Sequence, residues 1–226
     1  MIDRWRFDLH VHSMYSPDSS MTLEAAVARL PHVGLKGFAL TDHNSVRGHA
    51  ALAELQVANP SYLFLPGVEV STIEGHLLAY GVREAPPVHR PVAETIDWVR
   101  SHGGVPVPAH PFRWSHGVGP AVAESVNVDV IEGRNGHNSE VSNLRAEELA
   151  ARRNLGTTGG SDSHGVTGLG KTYTEFDPDV ATVDDLLEAL RKRTTSGAGL
   201  SLSFAGRLRV GLRTAGLLAS RGFRRI

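Results

Sequence analysis

The sequence predicts an α/β fold, a single-domain TIM-like barrel with parallel strands inside and helices outside. Short apolar runs alternate with stretches of helical spacing along most of the chain, the pattern of strand–helix–strand units. About seven such runs fall within one domain, which argues for a closed barrel over an open sheet. Histidines and acids recur at or just beyond the C-terminal ends of those runs, the rim on which barrel active sites are built.

The first run, Phe7 to His12, sets the pattern. Residues two apart on a strand share a face, so His10 and His12 project together with Asp8 behind them, and Leu9 and Val11 turn the other way. A loop with Ser16, Pro17 and Asp18 leads to a helix from Thr22 to about Pro31, with Thr22 as cap and Glu24 in the first turn. The run Gly37–Leu40 ends in Thr41-Asp42-His43-Asn44, and a helix follows through Ala50 to Val57, stopped by Asn59-Pro60. Tyr62 to Val70 carries Pro66 and Gly67 just before Glu69, and after Glu74-Gly75 the run His76–Tyr80 completes a candidate hairpin. Pro91 to His102 has helical spacing through Val92, Ile96 and Val99, ended by Gly103-Gly104.

Val105 to Ala109 then delivers His110-Pro111-Phe112, and Val128 to Ile131 gives way to Glu132-Gly133-Arg134-Asn135-Gly136. Ser139 to Arg153 reads as a helix with Val141, Leu144 and Leu149 on one side. Thr157 to Gly160 runs into Ser161-Asp162-Ser163-His164, Lys171 to Phe176 suits a strand, and Asp184 to Arg193 a helix. The barrel domain is expected over residues 1–203. Residues 204–226 read as a basic terminal helix packed on it, through Leu208, Leu212, Ala215, Leu218 or Ala219, and Phe223. A basic arm toward RNA, a nucleotide or an acidic lipid surface is the alternative for this segment.

The chain has 226 residues, 41% of them hydrophobic, enough to bury a sizeable core. With no cysteine, disulfides and thiolate metal sites are excluded, and metal ligands are limited to nitrogen and oxygen. No apolar run is long enough to span a bilayer or act as a secretory signal, so a soluble, cytoplasmic protein is expected. The net charge of −1 hides an asymmetry: nine of the 23 basic residues and none of the 24 acidic ones follow Glu188. The preceding body therefore sits near −10 and suits cations, whereas the tail suits an anionic partner or neutralises the body.

Asp162 and His164 repeat the i, i+2 arrangement of His10 and His12, and with His43, Glu69 and His110 they would meet in space on barrel closure. Counting His76, six of the twelve histidines fall at such positions. In order, Asp8-x-His10-x-His12-Ser13, Thr41-Asp42-His43, Gly67-x-Glu69, Ala109-His110-Pro111 and Gly160-Ser161-Asp162-Ser163-His164 resemble the successive motifs of the PHP family, named for polymerase and histidinol phosphatase. The resemblance spans Asp8 to His164. It implies a distorted (β/α)7 barrel, two or three divalent ions (manganese, iron or zinc), and phosphoester hydrolysis as the commonest activity.

The resemblance further implies His10, His12, Glu69 and Asp162 around one ion, and Asp18, His43 and His164 around a second. Glu69, His76 and His110 would hold a third, with Glu69 bridging and Glu69, Asp162 and His164 at the reacting centre. Some family members carry histidine where Asp18 stands, which makes that site harder here. Asp42 is expected to orient a ligand histidine. Arg134 and Asn135 are candidate substrate contacts, Arg134 to grip phosphate and Asn135 to bond a sugar or base, although Asn135-Gly136 is equally a turn dipeptide. Arg113 and Lys171 are further candidate phosphate contacts, and His116 and His137 read as proton donors or surface residues.

Clustered divalent ions would neutralise phosphoryl oxygens and yield hydroxide at neutral pH, which a phosphate ester requires. The leading expectation is thus a phosphoesterase that hydrolyses a small phosphorylated metabolite, a nucleotide or a short oligonucleotide by a metal-activated hydroxide. Short nucleic acid therefore stays among the candidate partners, and nothing in the sequence sets the oligomeric state. An amidohydrolase-like hydrolase is a second reading, although Lys36, Lys171 and Lys192 offer no bridging lysine at a strand end. A non-catalytic metal-binding module is a third.

Overall fold

The computed structural model describes residues 4–221; Phe223, placed above on the terminal stripe, lies outside them. β1 (Trp5–Val11) is buried from Phe7 onward on both faces, as befits a strand covered inside and outside. α1 (Leu23–Val33) begins where Thr22 accepts from Ala25 N at 3.2 Å and ends at Gly34, whose φ of 70° breaks the helix. Pro31 sits inside it. β2 (Gly37–Leu40), α2 (His49–Ala58), β3 (Leu63–Ser71), β4 (His76–Tyr80), α3 (Val92–Ser101) and β5 (Val105–Pro108) follow the expected order. Next come α4 (Pro120–Ser125), β6 (Val130–Asn135), α5 (Glu140–Arg153), β7 (Gly156–Gly160), β8 (Thr172–Phe176), α6 (Val183–Arg191), β9 (Ser196–Gly199) and α7 (Phe204–Ser220).

The strands curl into a barrel-like α/β architecture. One sheet has the order β5-β4-β3-β2-β1-β8-β9, and the parallel pair β6-β7 lies against its open side. Closure beside β1 is direct: Asp162 N donates to His10 O at 2.8 Å and His12 N to Ser163 O at 3.0 Å. On the far side, His110 N at the end of β5 donates to Glu132 Oε2 on β6 at 2.6 Å.

The sheet is not wholly parallel as expected. β4 forms the expected hairpin with β3, but β4 with β5, β8 with β1 and β9 with β8 are antiparallel as well. The turn between β3 and β4 spans only Thr72 to Gly75, too short for the parallel crossover of a dozen residues or more. α4 and β9 escaped the sequence reading; the Ser-Gly-Ala-Gly of β9 contains no β-branched or aromatic residue to announce a strand.

Two expected helix faces also differ. On α5, Val141 and Leu144 are exposed, and the buried stripe is Asn143, Ala146, Leu149 and Ala150. The helix docks through an amide: Asn143 Oδ1 accepts from Asn135 N at 3.1 Å and from Asn138 Nδ2 at 2.9 Å. On α7, Leu208 and Leu212 are 55% and 68% exposed. The side turned to the barrel mouth carries Ala215 and Leu218 of the expected stripe together with Arg207, Val210 and Thr214.

Apolar packing fixes β1 from both sides. Phe7 and Leu9 pack with Leu65, Leu78, Tyr80 and Val107, and with Leu186 and Leu190 of α6. Val11 joins Leu30, Phe38, Leu40 and Phe64 under α1 and α2. No helix among the described residues is long and apolar enough to cross a membrane.

Candidate metal centre

β1 ends at the barrel mouth, so His10 and His12 arrive there fully buried. Asp8 stands behind them, accepting from Ser161 N at 2.8 Å and Gly170 N at 2.9 Å. Burial pushes its carboxyl up to about 6 against those hydrogen bonds. The contacts pin the loop that carries Asp162 and His164 onto β1.

Glu69 of β3 occupies the middle. Its Oε2 lies 3.1 Å from His10 Nε2, 3.1 Å from His12 Nε2 and 3.4 Å from His43 Nδ1. Its Oε1 lies 2.8 Å from His76 Nδ1 and 2.9 Å from His110 Nε2. Asp162 Oδ1 closes the first set at 3.3 Å from His12 Nε2 and 3.7 Å from His10 Nε2. Asp18 Oδ2 joins the second at 2.8 Å from His164 Nε2 and 3.3 Å from His43 Nε2.

Ligand atoms lie within 4.8 Å of one another in His10–His12–Glu69–Asp162, in His12–Asp18–His43–His164 and in His43–Glu69–His76. The first of these is the expected set, the second adds His12 to its expected members, and the third carries His43 where His110 was expected, although His110 Nε2 lies 2.9 Å from Glu69 Oε1. A further cluster, His137–Asp162–His164, was not anticipated.

The donors suit divalent cations. His10 Nε2, both ring nitrogens of His12, His43 Nδ1 and His110 Nδ1 are buried without a hydrogen-bond partner. Each such orphan costs about 1–3 kcal/mol in a packed interior, and several of these atoms face carboxylate oxygens at bonding range. Imidazole nitrogens and carboxylate oxygens without thiolates form a donor set for divalent cations.

The electrostatics point the same way. Burial opposes charge on Glu69 and Asp162, yet His10 and the other histidines facing them, with Arg113 beside Asp162, hold both carboxyls well below their usual range. Burial also opposes charge on His12, but the carboxylates of Asp162 and Glu69 beside it hold it up to about 10. Burial pushes His43 down to about 4. Protons on some imidazoles thus balance carboxylates that cations would otherwise balance.

Two cluster residues leave their strands in the left-handed region, His110 with φ 32° and Asp162 with φ 55°. That backbone costs about 1–3 kcal/mol at a non-glycine residue, an outlay typical of functional sites.

Other expected residues are placed differently. Asp42 accepts from Ser13 N at 2.6 Å and Ser13 Oγ at 2.7 Å, so it ties down the loop after β1 and bonds no histidine. Arg134 is drawn away from the mouth by Glu147 and Glu140, at 2.5 and 2.9 Å. Asn135 is buried beneath the cluster, its Nδ2 at 3.1 Å from Glu132 Oε2 and 3.3 Å from Asp162 Oδ2. Arg113 reaches the site, with Nη2 2.8 Å from Asp162 Oδ2. His137 lies at the rim, its Nδ1 3.8 Å from Asp162 Oδ2, and His116 stacks on His76 at 4.9 Å.

Glu132 was missed. Its Oε1 accepts from His10 Nδ1 at 2.9 Å, which turns His10 Nε2 toward the cluster. The available signal was a carboxylate continuing the apolar run Val130-Ile131, since an acid buried in a strand needs partners.

The cluster floors a cleft of about 810 Å³, walled by the β3–β4 turn on one side and α7 on the other. Residues 8–85 match the model of the PHP domain, and residues 140–195 match that of the PHP-associated region. The chain belongs to the PHP family. This PHP chain is similar to two uncharacterized proteins of Methanocaldococcus jannaschii. MJ1587 is 28% identical over 115 residues, 46% of this chain and 67% of that protein. MJ0417 is 27% identical over 206 residues, 84% and 80% of the two chains.

Among solved structures, a two-domain Bacteroides vulgatus protein containing a predicted PHP-like metal-dependent phosphoesterase aligns with TM-score 0.70. It is 21% identical and covers 94% of this chain and 70% of its own. Endonuclease Q, in complex with a 27-mer duplex bearing an abasic lesion, aligns with TM-score 0.66 at 17% identity, over 88% of this chain and 60% of its own. An amidohydrolase from Chromobacterium violaceum aligns with TM-score 0.63 at 19% identity, over 81% and 96%. At these identities the likenesses establish the PHP fold.

Proposed function

We propose that this PHP chain is a metal-dependent phosphoesterase acting on a small phosphorylated metabolite, a nucleotide or a short oligonucleotide. The observation that carries the reading is Glu69, whose two oxygens face separate histidine sets while Asp162 and Asp18 complete two of them. Such a carboxylate suits two or three neighbouring cations. His10, His12, Glu69 and Asp162 would hold one, Asp18, His43 and His164 a second, and Glu69, His76 and His110 a third. Divalent ions bound there would withdraw charge from phosphoryl oxygens and supply hydroxide near neutral pH.

The chain's own groups prepare that chemistry. Glu132 holds the proton of His10 on Nδ1, and Asp162 O holds that of His164 on Nδ1 at 2.8 Å, so both rings turn Nε2 to the cluster. Arg113 keeps Asp162 ionised and brings a guanidinium to the cleft, where it can meet a phosphoryl oxygen. Arg134, drawn off by Glu140 and Glu147, takes no part in substrate binding, and Asn135 supports Asp162 from below.

The test assays purified protein against p-nitrophenyl phosphate, its bis ester and a peptide and amide panel, with and without Mn2+, alongside metal analysis. Mn2+-dependent release of p-nitrophenol from either ester is expected. Hydrolysis of amides alone would favour an amidohydrolase, and stoichiometric metal without any turnover a binding module.

A further inference from the structure

Beside the cleft, under α7, lies a smaller chamber of about 160 Å³. The two cavities share Asp18, His137, His164, Val210 and Thr214 on their linings, so a group in the chamber adjoins one at the cluster. Lys171, Arg209 and Arg213 also line the chamber, and Asp18, already paired with His164 and His43, is the one acid on its lining among the described residues.

These three cations are uncompensated. Lys171 and Arg209 make no side-chain hydrogen bond or ion pair with the described residues, and Arg213 reaches only Ser20 Oγ, at 3.3 Å. Elsewhere in the basic tail, Arg193 pairs with Asp129, Lys192 with Glu188, and Arg221 donates to backbone oxygens. Unpaired positive charge in a concave recess concentrates anions.

The recess is also held in shape. Arg221 Nη1 donates to Ser16 O at 3.1 Å, Pro17 O at 2.8 Å and Ser19 O at 3.1 Å, clamping the end of α7 to the loop that carries Asp18. Arg213 rests over Gly165, where a Cβ would come within 3.0 Å of its Nη1.

We propose that this chamber is a second anion subsite, which takes a phosphoryl group of the substrate other than the one hydrolysed. The chamber is small and covered by α7, so it admits a terminal group and not a continuing nucleic-acid strand. The preferred substrate is then a small molecule with two phosphoryl groups, a refinement that rests on the phosphoesterase reading.

The test uses the full chain loaded with Mn2+ and compares kcat and KM for a hexose monophosphate and bisphosphate, a nucleoside monophosphate and bisphosphate, and a 5′-phosphorylated trinucleotide. The bisphosphates are expected to have the lower KM, and the double variant Lys171→Gln, Arg209→Gln to reduce that preference roughly tenfold, with kcat little moved. Equal losses on mono- and bisphosphates would overturn the subsite, because the cations would then only seat α7. A preference for the trinucleotide would overturn its restriction to small molecules.

Calorimetry of the metal-free protein with inorganic phosphate gives a reading independent of turnover. Binding by the wild type that the double variant loses supports the subsite even if no ester is cleaved, an outcome that would sink the phosphoesterase reading alone. No phosphate binding by the wild type would overturn the subsite.

Discussion

At Glu69 one side chain serves two sides of the cluster, so its replacement reaches every set at once. Glu69→Gln keeps the shape and removes the charge that five histidines face. Glu132→Gln touches the orientation of His10, the amide of His110 and the side chain of Asn135, and no other cluster histidine. Glu132→Gln is expected to weaken Mn2+ binding by roughly 10–100-fold, the usual effect of losing a ligand's supporting partner, and Glu69→Gln by more. Metal content per chain after dialysis checks both. The ordering would reverse if Glu69 were a structural ion pair only.

His12 gives this scale a pH signature. Its folded value near 10 lies above the free value of about 6.5, so the stability it lends the metal-free protein is complete below 6.5 and lost as pH rises through 10. A cation at His12 displaces that proton. Apparent Mn2+ affinity should therefore climb from pH 6.5 toward 10 with proton release, read by calorimetry in buffers of different ionisation enthalpy. A flat affinity would remove His12 from the ligand set.

Between elements, β7 approaches β1 too closely for any side chain at Gly160. At Gly160 a Cβ would stand 2.2 Å from His10 Cβ and 2.7 Å from His10 N. Gly160→Ala must push β7 off the strand that carries the histidines, at a cost of about 1–3 kcal/mol. Denaturant unfolding should register that loss together with weakened Mn2+ binding. On the outer layer, Thr182 and Asp185 form a capping box for α6 far from the cleft. Thr182→Ala should cost about 1 kcal/mol in the same experiment and leave turnover alone. The two variants separate stability from site geometry.

Elements differ in how much of them the sequence carries. Thr22 with Glu24, Asn59-Pro60 and Gly103-Gly104 are local signals, and α1, α2 and α3 stand close to where they point. Val141 and Leu144 misled because α5 docks through Asn143, which accepts from the end of β6 and from the turn before its own helix, a polar contact that apolar spacing does not register. Leu208 and Leu212 misled for a similar reason: spacing finds an apolar stripe but not which side of the helix meets the barrel.

Across the whole molecule, divalent ions and folding should be coupled, since the cluster joins β1, β3, β4 and the segments after β2, β5 and β7. Mn2+ at about 100 times its Kd is expected to raise stability by about 2.7 kcal/mol, lost again on chelation. Thermal unfolding with Mn2+ and with a chelator measures the difference. An unmoved transition would mean that the folded chain holds no ion tightly.

The sequence by itself determined the strand ends and the residue types on them, because His-x-His at period two and Ser-Asp-Ser-His after a glycine pair are local patterns. It also carried the family motifs from Asp8 to His164. Only the tertiary structure decided that β8 and β9 run antiparallel, that Glu132 holds His10, that Glu140 and Glu147 take Arg134 from the mouth, and that α7 walls the cleft. Each of these depends on which groups the fold sets side by side, and a buried carboxylate or an arginine takes whatever partner it finds there.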